Sequence, residues 1–112
     1  MSLLRRIFNS TLFKAAPMES HPRPIHNAQQ HQFEIESDGR GAVLVYKLSD
    51  GKLYLLHTET PPELQGRGFG SELAKSALDY ARKNHLGVVP WCPFVKAYID
   101  RHKEYRSLVV EG

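Results

Sequence analysis

Cysteine is nearly absent from this chain. Cys92 stands alone among 112 residues, which excludes an intramolecular disulfide and fits a reducing compartment. No apolar run approaches the roughly 20 residues that a helix needs to cross a bilayer. Acidic residues are missing from the first 18 positions, where Arg5, Arg6 and Lys14 supply the whole net charge of +3. The other 94 residues carry 12 basic and 12 acidic side chains and are formally neutral. A nucleic-acid binder concentrates positive charge on its folded surface, so that class is set aside. The six histidines are dispersed and no second thiol accompanies Cys92, so spacing offers no metal ligand set.

What is present divides into three parts. Residues 1–18 place Leu3, Leu4, Ile7, Phe8 and Leu12 at helical spacing, with Arg5, Arg6 and Asn9 largely elsewhere on the wheel. A basic, acid-free, amphipathic start resembles a mitochondrial transit peptide, so import into the mitochondrion is the expectation. A tail or interface-binding helix on a cytoplasmic protein is the alternative. Pro22, Pro24 and Ser20 make 19–30 read as irregular linker, leaving 31–112 as one small domain with a thin core.

Within the domain the hydrophobic period turns from strand-like to helical twice. Residues 31–36 alternate around Phe33 and Ile35, 41–48 carry Val43, Val45 and Leu48, and 52–59 follow an Asp50-Gly51 hairpin turn. Strict alternation puts Leu53, Leu55, His57 and Glu59 on one face, with Tyr54, Leu56 and Thr58 on the other. Pro61-Pro62 ends this third strand. From Gly68 to about Asn84, Phe69, Leu73, Ala77, Tyr80 and Ala81 fall on one helical side. Glu72–Lys75 and Asp79–Lys83 are the expected pairs on the other side. Val88-Val89 begins a short fourth strand, and Phe94, Val95, Tyr98 and Ile99 mark a second helix. The order β-β-β-α-β-α describes an α+β sandwich, with the fourth strand parallel to the third.

The helix threshold carries Gln65-Gly66-Arg67-Gly68-Phe69-Gly70. Glycine is costly in ordered structure unless the backbone needs it, and the first N–H groups of a helix lack intrahelical acceptors. Together they suit an anion such as a pyrophosphate, with Arg67 as a side-chain clamp. The glycine order fails the dinucleotide fingerprint, and no Gly-Lys-Ser/Thr follows for a nucleoside triphosphate. A flexible helix start with incidental glycines is the plain alternative.

This run resembles the acyl-CoA-binding motif of the GCN5-related N-acetyltransferases. The segments His57-Thr58-Glu59-Thr60-Pro61 and Cys92-Pro93-Phe94-Val95-Lys96-Ala97-Tyr98 are similar to the superfamily's small, single-domain members. The resemblance spans about residues 31–105. It implies a compact acetyltransferase fold that binds acetyl-CoA or coenzyme A as small-molecule acyl donor. Gln65, Gly66, Arg67, Gly68, Phe69 and Gly70 would cradle the pyrophosphate, while Leu56, His57 and Thr58 would hold the pantetheine arm like an added strand. The acceptor, an amine or a protein, stays unnamed, because the pair of helices that closes the acceptor side in larger members has no counterpart here. Function is therefore read as N-acetyl transfer, with a CoA-binding regulatory module of little turnover as the alternative.

Four residues are candidates for the chemistry. Cys92 follows the fourth strand, where it could take the acyl group as a nucleophile, line the thioester pocket, or simply pack. His57 and Glu59 could accept the amine's proton directly or through water, or hold the 58–62 loop. Tyr98 resembles the tyrosine that protonates the departing thiolate in larger acetyltransferases, and its alternative is a core position.

Overall fold

The computed structural model describes residues 23–37 and 39–112. The leader expected over 1–18 lies outside the described residues. A five-stranded sheet in the order β1-β2-β3-β4-β5 is built from β1 (Ile25–Asn27), β2 (Gln32–Ser37), β3 (Arg40–Ser49), β4 (Lys52–Glu59) and β5 (Gly87–Pro90). Helix α1 (Phe69–Lys83) joins β4 to β5, which run parallel, and α2 (Pro93–Arg101) follows. The α+β sandwich is as expected, with one addition at the edge. Ile25–Asn27 lies in the stretch read as linker, yet it pairs antiparallel with Gln32–Glu34, so the order is β-β-β-β-α-β-α. Three residues are too few to show a period. The turn between them closes through Gln30 and His31 N–H groups on Asn27 and Ala28 carbonyls, with His31 at φ 57°.

The core lies between the sheet and α1. Phe33, Ile35, Leu44, Tyr46, Leu53 and Leu55 supply the sheet side, and Leu73, Ala74, Ala77, Leu78 and Ala81 the helix side. Alanine at three of those helix positions lets α1 approach the sheet closely. On its outer surface Lys75 pairs with Asp79 at 2.8 Å, one turn on, in place of the two expected pairs. Tyr105, from the 3-10 segment Lys103–Leu108, donates to the other Asp79 oxygen at 2.7 Å. Burial tends to raise the Asp79 pKa, but the bonds from Lys75 and Tyr105 outweigh it and hold the carboxyl below its usual value. Beyond that segment, Val110 N–H donates to the Val88 carbonyl at 2.9 Å, so the tail extends the sheet past β5.

The strict alternation expected of β4 breaks at Leu56. Tyr46 pairs with Leu55 but Val45 pairs with His57, so one extra residue is accommodated in β4. A one-residue insertion inverts the faces beyond it. Thr58 therefore joins Leu53 and Leu55 on the helix-covered face, and His57 and Glu59 turn to the opposite, open face. This corrects the grouping of His57 and Glu59 with Leu55, because period-two reasoning cannot see a bulge.

Candidate functional site

The bulge coincides with a separation of strands. β4 and β5 pair from Lys52–Gly87 to Leu55–Pro90. One more bond, Cys92 N–H to the Leu55 carbonyl at 2.8 Å, completes the contact. Cys92 then caps α2, with Pro93 in the first turn, and the chain leaves the sheet. Past this point β4 pairs with β3 only, and the strand edge over Leu56–Glu59 faces a gap.

Beside that gap lies a cavity of about 470 Å³. Thr58 of β4 and Thr60 just beyond it form one wall, Leu64 to Gly66 the rim, Gly68 to Ser71 the floor and Phe94 the far wall. Each glycine is there for a separate reason. Gly66 and Gly68 have φ of 82° and 83°, a left-handed backbone that L-residues adopt at a cost. Gly70 is ordinary in backbone, but a Cβ there would sit 2.9 Å from the Phe94 ring. The first two shape the turn and the third makes room. Glu72 N–H to the Gly68 carbonyl is the first intrahelical bond, and no side chain caps α1. The N–H groups of Phe69, Gly70 and Ser71 therefore lie at the cavity floor without helical acceptors, at the positive end of the helix dipole. That floor fits a phosphate or pyrophosphate group.

The loop that carries the rim is tied down locally. Gln65 Nε2 donates to the Thr60 carbonyl at 3.0 Å, and Glu63, in the 3-10 turn Pro62–Leu64, pairs with Arg40 of β3. The first residue of the motif thus holds its own loop closed.

Of the residues chosen from sequence, Thr58, Gln65, Gly66, Gly68, Phe69 and Gly70 line this cavity. Arg67 is exposed on the same turn but is not part of the wall, and Leu56 occupies the bulge. His57 and Glu59 lie together on the open face, 3.3 Å apart, with their side chains 53% and 71% exposed. Cys92 is buried behind Thr58, whose Oγ1 is 3.4 Å from its Sγ. Tyr98 is buried between the helices, stacked on His102 at 4.0 Å, away from the cavity wall. Burial pushes its hydroxyl pKa above the ordinary value. Sequence reasoning missed Thr60, Leu64, Ser71 and Phe94 as lining groups. Phe94 stands in the sequence as an apolar helix position within the Cys92–Tyr98 segment, and its approach to Gly70 is a tertiary contact with no local signal.

Comparison with known proteins agrees with this geometry. The family model described as GCN5-related N-acetyl-transferase matches residues 32–108, and the chain belongs to that family. It is 34% identical to mouse Protein NATD1 over 80 residues, 69% of this chain and 73% of that one. The human Protein NATD1 is 32% identical over 80 residues, covering 69% and 71% respectively. The solution NMR structure of a GCN5-like protein from Staphylococcus aureus superposes with a TM-score of 0.63 at 25% identity. That match covers 83% of this chain and 92% of the bacterial one. Family and fold are thus consistent with acetyl-CoA-dependent acyl transfer in general. Among the described residues, no helix is long and apolar enough to cross a membrane.

Proposed function

We propose that this protein is an acetyl-CoA-dependent N-acetyltransferase acting on an amine. One observation carries the reading: the uncapped start of α1 and the edge of β4 left free by β5 open onto the same cavity. A donor of this class brings both an anion for the first and a chain of amides for the second. The N–H groups of Phe69 to Ser71 and the Gly66–Gly68 turn would hold its pyrophosphate. The edge of β4 over Leu56–Glu59 would hold the amide arm as an added strand. Thr58 and Phe94 would flank the arm and exclude water.

Acetyl-CoA supplies an acyl carbon activated as a thioester. Its transfer forms one carbon–nitrogen bond and breaks one carbon–sulfur bond, while the amine loses a proton and the thiolate gains one. Glu59, with His57 beside it, is assigned as the proton acceptor, since both are solvent-accessible and next to the gap. Holding donor and amine in one geometry accounts for most of the rate. Burial and the Thr58 contact favour Cys92 as a wall behind the thioester over a covalent nucleophile. Tyr98 is assigned to packing between the helices.

Calorimetric titration with coenzyme A tests the donor site, and absence of saturable binding would sink the reading. Thiol release over a panel of amines then separates enzyme from binder. Binding without turnover would favour a regulatory CoA-binding module, which the exposure of His57 and Glu59 also suits. For Cys92, the alanine variant should keep turnover, and intact mass after acetyl-CoA addition should show no protein-bound acetyl group. We also propose that residues 1–18 direct mitochondrial import. A reporter fused to residues 1–25 that stayed in the cytoplasm would refute this.

A further inference from the structure

The open face of the sheet carries a row of paired residues, Ile25–Glu34–Val43–Glu59, one from each of β1 to β4. Two carboxylates therefore flank Val43, two strand spacings or about 10 Å apart. Glu59 is exposed, whereas Glu34 is 1% exposed, the one charged side chain in the buried set among the described residues. Glu34 Oε2 accepts from Asn27 Nδ2 at 2.7 Å and Gln32 Nε2 at 2.6 Å. Its Oε1 is buried and has no hydrogen-bond partner among the described residues. Such a group carries a desolvation cost that an incoming cation would offset.

A second cleft, of about 400 Å³, covers the Val43–Glu59 end of this row, and Glu34 lies outside its lining, bonded to the side chain of Gln32, which does line it. Gln32 and Val43 floor it, Gly41 leaves one side open, and Glu59, Thr60 and Pro61 close the other. Thr60 lines this cleft and the cavity at the α1 threshold, so the two are neighbours across the end of β4. Three cationic side chains of β3 and β4 already have partners, one of them Glu59 itself. His57 faces Glu59, Arg40 pairs with Glu63, and Lys47 Nζ lies 5.3 Å over the Tyr54 ring.

We infer that this cleft takes the acyl acceptor, and that the acceptor is an aliphatic amine bearing a second cationic nitrogen. The distal ammonium displaces the Gln32 amide from Oε2 of Glu34 and, with its further N–H donors, also reaches the neighbouring Oε1. The alkyl chain lies on Val43, and the reacting amine sits at Glu59 and His57 beside the gap. This rests on the acyl-transfer reading above and adds the substrate class. Transfer is balanced as described there, with the reacting nitrogen's proton passing to Glu59.

The test compares diaminobutane with butylamine, which differ in the distal nitrogen alone. Titrated into the full chain without coenzyme A, the diamine should bind at least about tenfold more tightly than the monoamine. With acetyl-CoA present, it should give monoacetylated product by mass spectrometry. Glu34→Gln should reduce the diamine preference to near unity. Because that substitution alters a buried group, Val43→Lys serves as a second variant. It puts a tethered ammonium between the two carboxylates and should also abolish diamine binding. Coenzyme A titration of each variant reports that the fold is intact. Equal affinity for the two amines, or a preference that survives both variants, overturns the inference. So does diamine binding without acetylated product on a protein that binds acetyl-CoA. Failure to bind coenzyme A at all would instead overturn the acyl-transfer reading, and with it the acceptor assignment.

Discussion

The two ends of α1 meet the same sheet in opposite ways. At the C-terminal end, Tyr80 joins His26, Phe33 and Tyr46 in a cluster of rings, with centroids 4.3 to 5.8 Å apart. The His26 ring stacks on Phe33 within 10° and bonds the Tyr46 hydroxyl at 2.7 Å. At the N-terminal end the sheet opposes glycines and a cavity instead of rings. The packed end can tolerate an open one because aromatic burial contributes much of the stability of a thin core. Stability and ligand binding are thus assigned to different turns of one helix, and substitutions should separate them.

The largest expected effect is at the packed end. Phe33→Ala removes a ring that is 1% exposed and should cost about 3–5 kcal/mol, read by chemical denaturation. The folded fraction should retain its affinity for coenzyme A. Parallel losses in stability and affinity would mean that the two ends are not separate. At the open end, Gly68→Ala forces a Cβ onto a residue at φ 83° and should cost about 1–2 kcal/mol. Here coenzyme A affinity should fall by more than the stability change alone explains, because the turn that aims the N–H groups is distorted.

Between these extremes lies a pH effect confined to the packed end. Burial lowers the pKa of His26 below its ordinary 6.5. The unfolded chain therefore binds a proton more readily than the folded one, so stability is complete above that value. It falls as pH drops from 6.5 through the lower folded pKa. Melting temperature should decline over that acid window, and His26→Phe should flatten the decline. An equal slope in the variant would transfer the effect to another group.

How much of this contrast is legible in the sequence depends on what sets each feature. The amphipathic period of α1, the Asp50-Gly51 hairpin and the glycine run are local signals, and they yielded the sandwich and the cavity floor. The bulge at Leu56 has no such signal. It follows from how β4 accommodates β3, and without it Thr58 and His57 exchange faces. Glu34 was unremarkable for a related reason. It alternates correctly with Phe33 and Ile35 as an outward residue, and only β1, hidden in the proline-rich stretch, places Asn27 beside it. A carboxylate's burial is a property of its neighbours on three strands.

The smallest expected effect sharpens the comparison most. Gln65→Ala removes one exposed bond, from Nε2 to the Thr60 carbonyl, and buries nothing new. An exposed hydrogen bond contributes little net stability, so unfolding should shift by no more than about 0.5 kcal/mol. Yet this bond closes the loop whose last residues, Gly66 to Gly68, lead into α1. Releasing it frees backbone that must be ordered again when coenzyme A binds, at about 1 kcal/mol per residue. Affinity should therefore fall several-fold while the melting temperature holds, the reverse of Phe33→Ala. Gln65→Glu keeps the length but loses the donor, so it should behave like alanine. If it bound as well as the native chain, the side chain would merely fill space, and the rim's order would come from Arg40–Glu63 instead.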